Sequence, residues 1–67
     1  MSLFCKRLKQ LRMEHQLSTI EMGKILNVSH TTITRWESGE IVPSILHLIN
    51  IAKYFEVSAD YLLGIEE

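Results

Sequence analysis

Leu17-Ser18-Thr19-Ile20-Glu21-Met22-Gly23-Lys24-Ile25-Leu26-Asn27-Val28-Ser29-His30-Thr31-Thr32-Ile33-Thr34-Arg35-Trp36-Glu37-Ser38-Gly39 is the stretch that decides the fold. Two Ser residues in it, Ser18 and Ser29, each follow an apolar residue and precede another four positions later. That pattern predicts a Ser N-cap with a hydrophobic staple across it. Glu21, three residues after Ser18, completes a capping box. Asn27 is the commonest non-Gly residue where φ must be positive, and Gly39 is suited to closing a helix. Two short helices are therefore predicted, with only Asn27 and Val28 between Leu26 and the next cap. So short a connection forces a steep crossing. Gly23, in the middle of the first of these helices, costs about 1 kcal/mol relative to Ala. A close neighbouring backbone would account for it.

The same signal extends outward on the C-terminal side. Pro43-Ser44 with Leu48, and Val57-Ser58 with Leu62, repeat the cap pattern. Pro43 cannot continue a helix, and Gly64 closes the last one. On the N-terminal side, Phe4, Leu8 and Leu11 recur at i, i+4 and i+7, predicting a helix from about Leu3 to His15. No stretch alternates as a strand does. The prediction is an all-α chain of five short helices forming a single domain over residues 1–67, with no linker and no internal repeat.

Composition sets further bounds. A chain of 67 residues buries only about 60% of its unfolded surface and needs a dense core, a staple or a partner. Cys5 is the only cysteine, so no internal disulfide can form, and its apolar helical spacing predicts a buried thiol. His15, His30 and His47 lie far apart without ligand-like neighbours, so neither a metal site nor another cofactor is expected. No apolar run approaches the roughly 18 residues of a membrane span, and no signal-peptide pattern opens the chain. A cytoplasmic protein is expected. No nucleophile, base and orienter set points to an enzyme.

Net charge is −1, yet its distribution is uneven. Lys6, Arg7, Lys9, Arg12, Lys24 and Arg35 face only Glu14 and Glu21 over residues 1–35, a balance of +4. Lys53 faces Glu37, Glu40, Glu56, Asp60, Glu66 and Glu67 over residues 36–67, a balance of −5. One cationic and one anionic face are expected.

With Ile33 and Trp36 turned inward, Thr31, Thr34, Arg35 and Ser38 form an outward stripe, and His30 begins the helix beside them. Any surface helix would be polar there. These particular groups also match base edges: Arg can bond guanine O6 and N7, Thr methyls can touch thymine methyls, and His can donate or accept. Helix N-termini bearing Ser18, Thr19 and Ser29 suit phosphate oxygens.

The chain resembles the lambda-repressor/Cro-like helix-turn-helix family, also called the xenobiotic-response-element (XRE) family, of bacterial and phage regulators. The resemblance spans about residues 3–64. It is carried by Leu17-Ser18, Gly23, Val28-Ser29, Ile33, Arg35-Trp36-Glu37 with Gly39, Pro43-Ser44, and Val57-Ser58 to Leu62-Leu63. It implies a compact five-helix domain with the helix-turn-helix at about 18–38. It also implies sequence-specific binding to double-stranded operator DNA, by a homodimer on a pseudo-palindrome, with transcription regulated and repression the expected outcome. By position, base contacts fall to His30, Thr31, Thr34 and Arg35, and phosphate contacts to Ser18, Thr19 and Ser29. Arg12 and Glu37 stand where the family often pairs an Arg late in its first helix with the Glu closing the third, so a structural ion pair is implied.

Three positions depart from the family. Thr19 stands where Gln often clamps phosphate and braces the reading helix, and Thr is too short to brace. Ile20 replaces a commonly acidic or polar residue. Glu40-Ile41-Val42 replaces a loop that often brings Lys or Arg to the backbone, so few loop contacts and a shallow salt slope are expected. Ile20, Ile25, Ile41, Val42, Leu46, Ile49, Leu63 and Ile65 cannot all be buried in so small a core. Leu46, Ile49, Leu63 and Ile65 are the expected dimer contacts. The rival reading is a protein-interaction module of the same fold that binds a protein partner and does not read DNA. With no effector segment after Gly64, control is expected through dimerisation, a partner or abundance.

Overall fold

The computed structural model describes residues 3–65. They form five helices: α1 (Leu3–Glu14), α2 (Thr19–Leu26), α3 (His30–Ser38), α4 (Ile45–Phe55) and α5 (Ala59–Leu63). No strand occurs among the described residues. Each helix from α2 onward starts on the serine the sequence marks. The hydroxyls of Ser18, Ser29, Ser44 and Ser58 accept from the backbone N–H of Glu21, Thr32, His47 and Tyr61. At Ser18 the box is complete, because its own N–H donates to Glu21 Oε1 at 2.8 Å. That bond, followed by the Ser18 hydroxyl, holds the Glu21 carboxyl below its ordinary value against an opposing effect of desolvation, with a smaller lowering contribution from Lys24.

Helix ends follow a second rule. Asn27, Gly39 and Gly64 take the left-handed conformation, as their residue types suggest. So do Gln16 (φ 57) and Glu56 (φ 55), which residue type alone does not mark. In all five cases the next N–H reaches back to a carbonyl five residues earlier: Leu17 to Arg12, Val28 to Gly23, Glu40 to Arg35, Val57 to Ala52 and Ile65 to Asp60. Three connections thereby share one compact code: a left-handed residue, an apolar residue, then the Ser cap. Gln16-Leu17-Ser18, Asn27-Val28-Ser29 and Glu56-Val57-Ser58 each end one helix and start the next. Leu17, Val28 and Val57 pack against the core, so the turns are held by burial as well as by hydrogen bonds.

The core draws on all five helices. Leu8, Met22, Ile33, Ile51 and Leu62, one from each helix in chain order, are the largest fully buried side chains. Phe4, Cys5, Leu11, Leu26, Trp36 and Phe55 surround them. Cys5 is a buried core thiol, and Trp36 is a core residue. Arg7 joins the two ends of the fold: its Nη1 donates to the Tyr61 carbonyl, and its guanidinium lies 4.3 Å from the centre of the Tyr61 ring. All eight apolar residues expected to exceed the core's capacity are exposed, and Ile45, at 79%, joins them.

Candidate nucleic-acid interface

The turn between α2 and α3 sets the interface. A Cβ at Gly23 would lie 2.6 Å from the Val28 carbonyl oxygen and 3.3 Å from the His30 nitrogen, both backbone atoms. The glycine is thus explained by close approach of the next segment's backbone. The Val28 N–H donates to the Gly23 carbonyl at 2.8 Å, so the same residue that permits the approach also anchors it. Met22, Leu26, Ile33 and Trp36 are buried along the seam, and Val28 is half-buried. With Ile33 and Trp36 held inside, α3 can roll little about its axis, and its outer face is fixed.

That outer face carries His30, Thr31, Thr34, Arg35 and Ser38, all exposed. Thr34 Oγ1 donates to the His30 carbonyl at 3.1 Å, which spends its proton and leaves the methyl as its distinctive group. Ser38 Oγ donates to the Arg35 carbonyl at 3.1 Å. The three serine and threonine hydroxyls assigned to phosphate differ in their local ties. Ser18 Oγ accepts from the Glu21 N–H, so its own O–H remains a donor. Ser29 Oγ accepts from the Thr32 N–H and is also 2.9 Å from Thr32 Oγ1, a partner the sequence did not indicate. Thr19 is half-buried at the start of α2.

Arg12 and Glu37 form a two-point ion pair. Arg12 Nε donates to Glu37 Oε2 at 2.7 Å and Nη2 donates to Oε1 at 3.1 Å, while Nη1 donates to the Leu17 carbonyl at 2.8 Å. Their side chains are only 14% and 8% exposed. One guanidinium therefore ties α1, the entrance to α2 and the last turn of α3 together.

These contacts change the charge argument. Of the six cations in the first half, Arg7 lies against Tyr61 and Arg12 against Glu37. Lys6, Lys9, Lys24 and Arg35 are the exposed ones. Arg35 is itself accompanied: Glu40 Oε2 lies 3.7 Å from its Nε. Sequence reasoning treated Glu40 only as a charge in a loop. The i to i+5 spacing across Gly39 was the available signal, because a left-handed residue there folds position 40 back on position 35. Among the described residues no group of three or more His, Cys, Asp or Glu could hold a metal ion. No helix among them is long and apolar enough to cross a membrane.

Known proteins share this arrangement. The HTH-type transcriptional activator BcrR of Enterococcus faecalis is 41% identical over 64 residues, which is 96% of this chain and 31% of that protein. A transcriptional regulator from Listeria innocua superposes with a TM-score of 0.89 at 38% identity, covering 96% of this chain and 60% of that one. The c2 repressor of phage P22, in a crystal structure with a synthetic operator, superposes with a TM-score of 0.89 at 29% identity, covering 98% of this chain and 100% of that one. The chain spans 31%, 58% and 28% of the length of three of the regulators it matches. Residues 8–62 match the HTH_3 helix-turn-helix family. With those residues, the caps, the tight α2–α3 turn and the five-helix order in agreement, the chain belongs to that XRE-like, lambda-repressor-type helix-turn-helix family of DNA-binding transcriptional regulators.

Proposed function

We propose that this chain is a sequence-specific transcriptional regulator that reads an operator through the major groove with α3, as a homodimer on a pseudo-palindrome. Repression is the proposed outcome, the role carried in the name of the P22 c2 repressor. The observation that carries this reading is the exposed stripe His30, Thr31, Thr34 and Arg35 on a helix whose other face, Ile33 and Trp36, is locked in the core. A base-reading helix needs both properties, a chemically varied outer edge and an inner edge that cannot rotate. In this reading Arg35 takes guanine O6 and N7, the Thr31 and Thr34 methyls meet thymine, and His30 bonds a base edge at the helix start. Ser18, Thr19 and Ser29 hold phosphate oxygens at the N-termini of α2 and α3. The P22 c2 repressor solved with a synthetic operator, which superposes over 98% of this chain, supports the DNA partner. Leu46, Ile49, Leu63 and Ile65 are exposed and form the proposed two-fold contact. Cytoplasmic location follows from the same reading.

Selection of bound duplexes from a random DNA pool tests it. The expected result is enrichment of a palindrome whose guanine preference is lost in Arg35→Ala, with about 1–3 kcal/mol of discrimination at that base pair. No enrichment at low salt would assign the fold to binding a protein partner instead.

A further inference from the structure

We infer that Glu40 is a specificity-determining residue, setting how Arg35 meets its base; the inference rests on the DNA-reading role proposed above. The two residues are linked twice. Glu40 Oε2 sits 3.7 Å from Arg35 Nε. The Glu40 backbone N–H also donates to the Arg35 carbonyl at 3.0 Å and to Ser38 Oγ at 3.3 Å, and that hydroxyl donates to the same carbonyl at 3.1 Å. Gly39, at φ 83, makes the reversal that brings position 40 back over position 35. The carboxylate is thus delivered by a hydrogen-bonded turn to the side chain of the residue its own backbone caps.

Exposure argues against a role in stability. The two side chains are 53% and 65% exposed, and an ion pair so open to water adds little to a fold. Its effect falls on the guanidinium. A carboxylate on Nε occupies one side of that group and leaves Nη1 and Nη2, which together can span guanine O6 and N7. An arginine without such a partner turns readily toward any phosphate, which gives binding without sequence. Glu40 opposes this through its charge: it draws the guanidinium toward the turn and repels the phosphate an idle Arg35 would seek. Guanine O6 and N7 carry no formal charge and incur less of that repulsion. Glu40 therefore shifts Arg35 from backbone to base, lowering affinity for DNA in general while raising preference for guanine.

Glu40→Gln keeps the shape and removes the charge, and the Arg35→Ala background separates its action on Arg35 from plain repulsion of DNA. The measurement is equilibrium binding of the wild type, Glu40→Gln, Arg35→Ala and the double variant to four duplexes. The duplexes carry each base in turn at the position whose preference Arg35→Ala abolishes. Glu40→Gln is expected to bind random-sequence duplex about threefold more tightly and to lose about fivefold of its guanine preference, with an unchanged thermal melt. In the Arg35→Ala background it should raise binding to all four duplexes alike. Two results would overturn the proposal. An equal gain on all four duplexes in the wild-type background, with guanine preference intact, would make Glu40 a plain repulsive charge. A sharpened guanine preference would mean that Glu40 competes with the base for Arg35. Failure of the wild type to prefer any base would remove the DNA-reading role itself, and this proposal with it.

Discussion

Arg12 shows how much one side chain can organise in a fold of this size. Its guanidinium meets Glu37 at two points and the Leu17 carbonyl at a third, and both charged groups are mostly withdrawn from water. Two charges taken from solvent are costly, and the pair recovers that cost only while both members are present. Arg12→Met should therefore lower unfolding free energy by about 2–3 kcal/mol, because it strands the Glu37 carboxylate and the Leu17 carbonyl. Arg12→Met with Glu37→Leu should recover most of the loss, since an apolar pair in the same space leaves no orphan charge. Urea denaturation of the three proteins checks this, and a double variant no more stable than Arg12→Met alone would contradict it. The pairing is implied by the family resemblance. Nothing in the spacing of Arg12 and Glu37, twenty-five residues apart, indicates it. Glu40 went unassigned for the opposite reason, because its partner is local but depends on a backbone reversal.

At the scale of elements, serines announce the starts and left-handed residues make the stops. The starts were legible because a Ser hydroxyl acts within three residues of itself. Two of the five stops were not, since Gln16 and Glu56 have side chains that disfavour a positive φ. They adopt it because the following Leu17 and Val57 are drawn into the core and Ser18 and Ser58 open the next helix at once. Burial of the next residue outweighs the local preference. Gly23 is the converse case, a residue that lowers helix propensity so that two helices can meet. Gly23→Ala gains about 1 kcal/mol of propensity but places a Cβ 2.6 Å from the Val28 carbonyl oxygen. Backbone cannot yield there without opening the turn, so a net loss of about 1–3 kcal/mol is expected. Thermal denaturation would show it as a lowered midpoint, and a raised midpoint would mean that the turn is looser than its geometry implies.

For the whole molecule, the balance of surface and core decides what is offered to partners. Leu46, Ile49, Leu63 and Ile65 are exposed, and Leu63 also lines an apolar groove with Phe4, Val42, Pro43 and Leu48. So many large apolar groups on so small a body favour a second copy, joined by a two-fold contact. Replacing Leu46 and Ile49 together by Lys should turn a dimer into a monomer by sedimentation at micromolar concentration and should weaken operator binding by at least tenfold, about 1.4 kcal/mol. Both residues are exposed in the chain, so the monomer's own melt should change little. A wild-type chain that stays monomeric even with operator present would remove the dimer. Charge acts at this scale as well. With Arg7 and Arg12 engaged inside the fold and no Lys or Arg in the loop Glu40-Ile41-Val42, the salt dependence of binding should be shallow.

By itself the sequence determined the class and number of helices, where four of them begin, the buried seam of the first three helices and which stripe faces outward. These depend on periodicity and on caps, whose interactions reach no more than a turn or two along the chain. Tertiary structure decided which cations are engaged within the fold, that Glu40 lies on Arg35, and that Gln16 and Glu56 would accept a strained backbone. The Glu40–Arg35 contact needs the backbone reversal at Gly39, whereas the others depend on neighbours that exist only once the five helices have closed on Leu8, Met22, Ile33, Ile51 and Leu62.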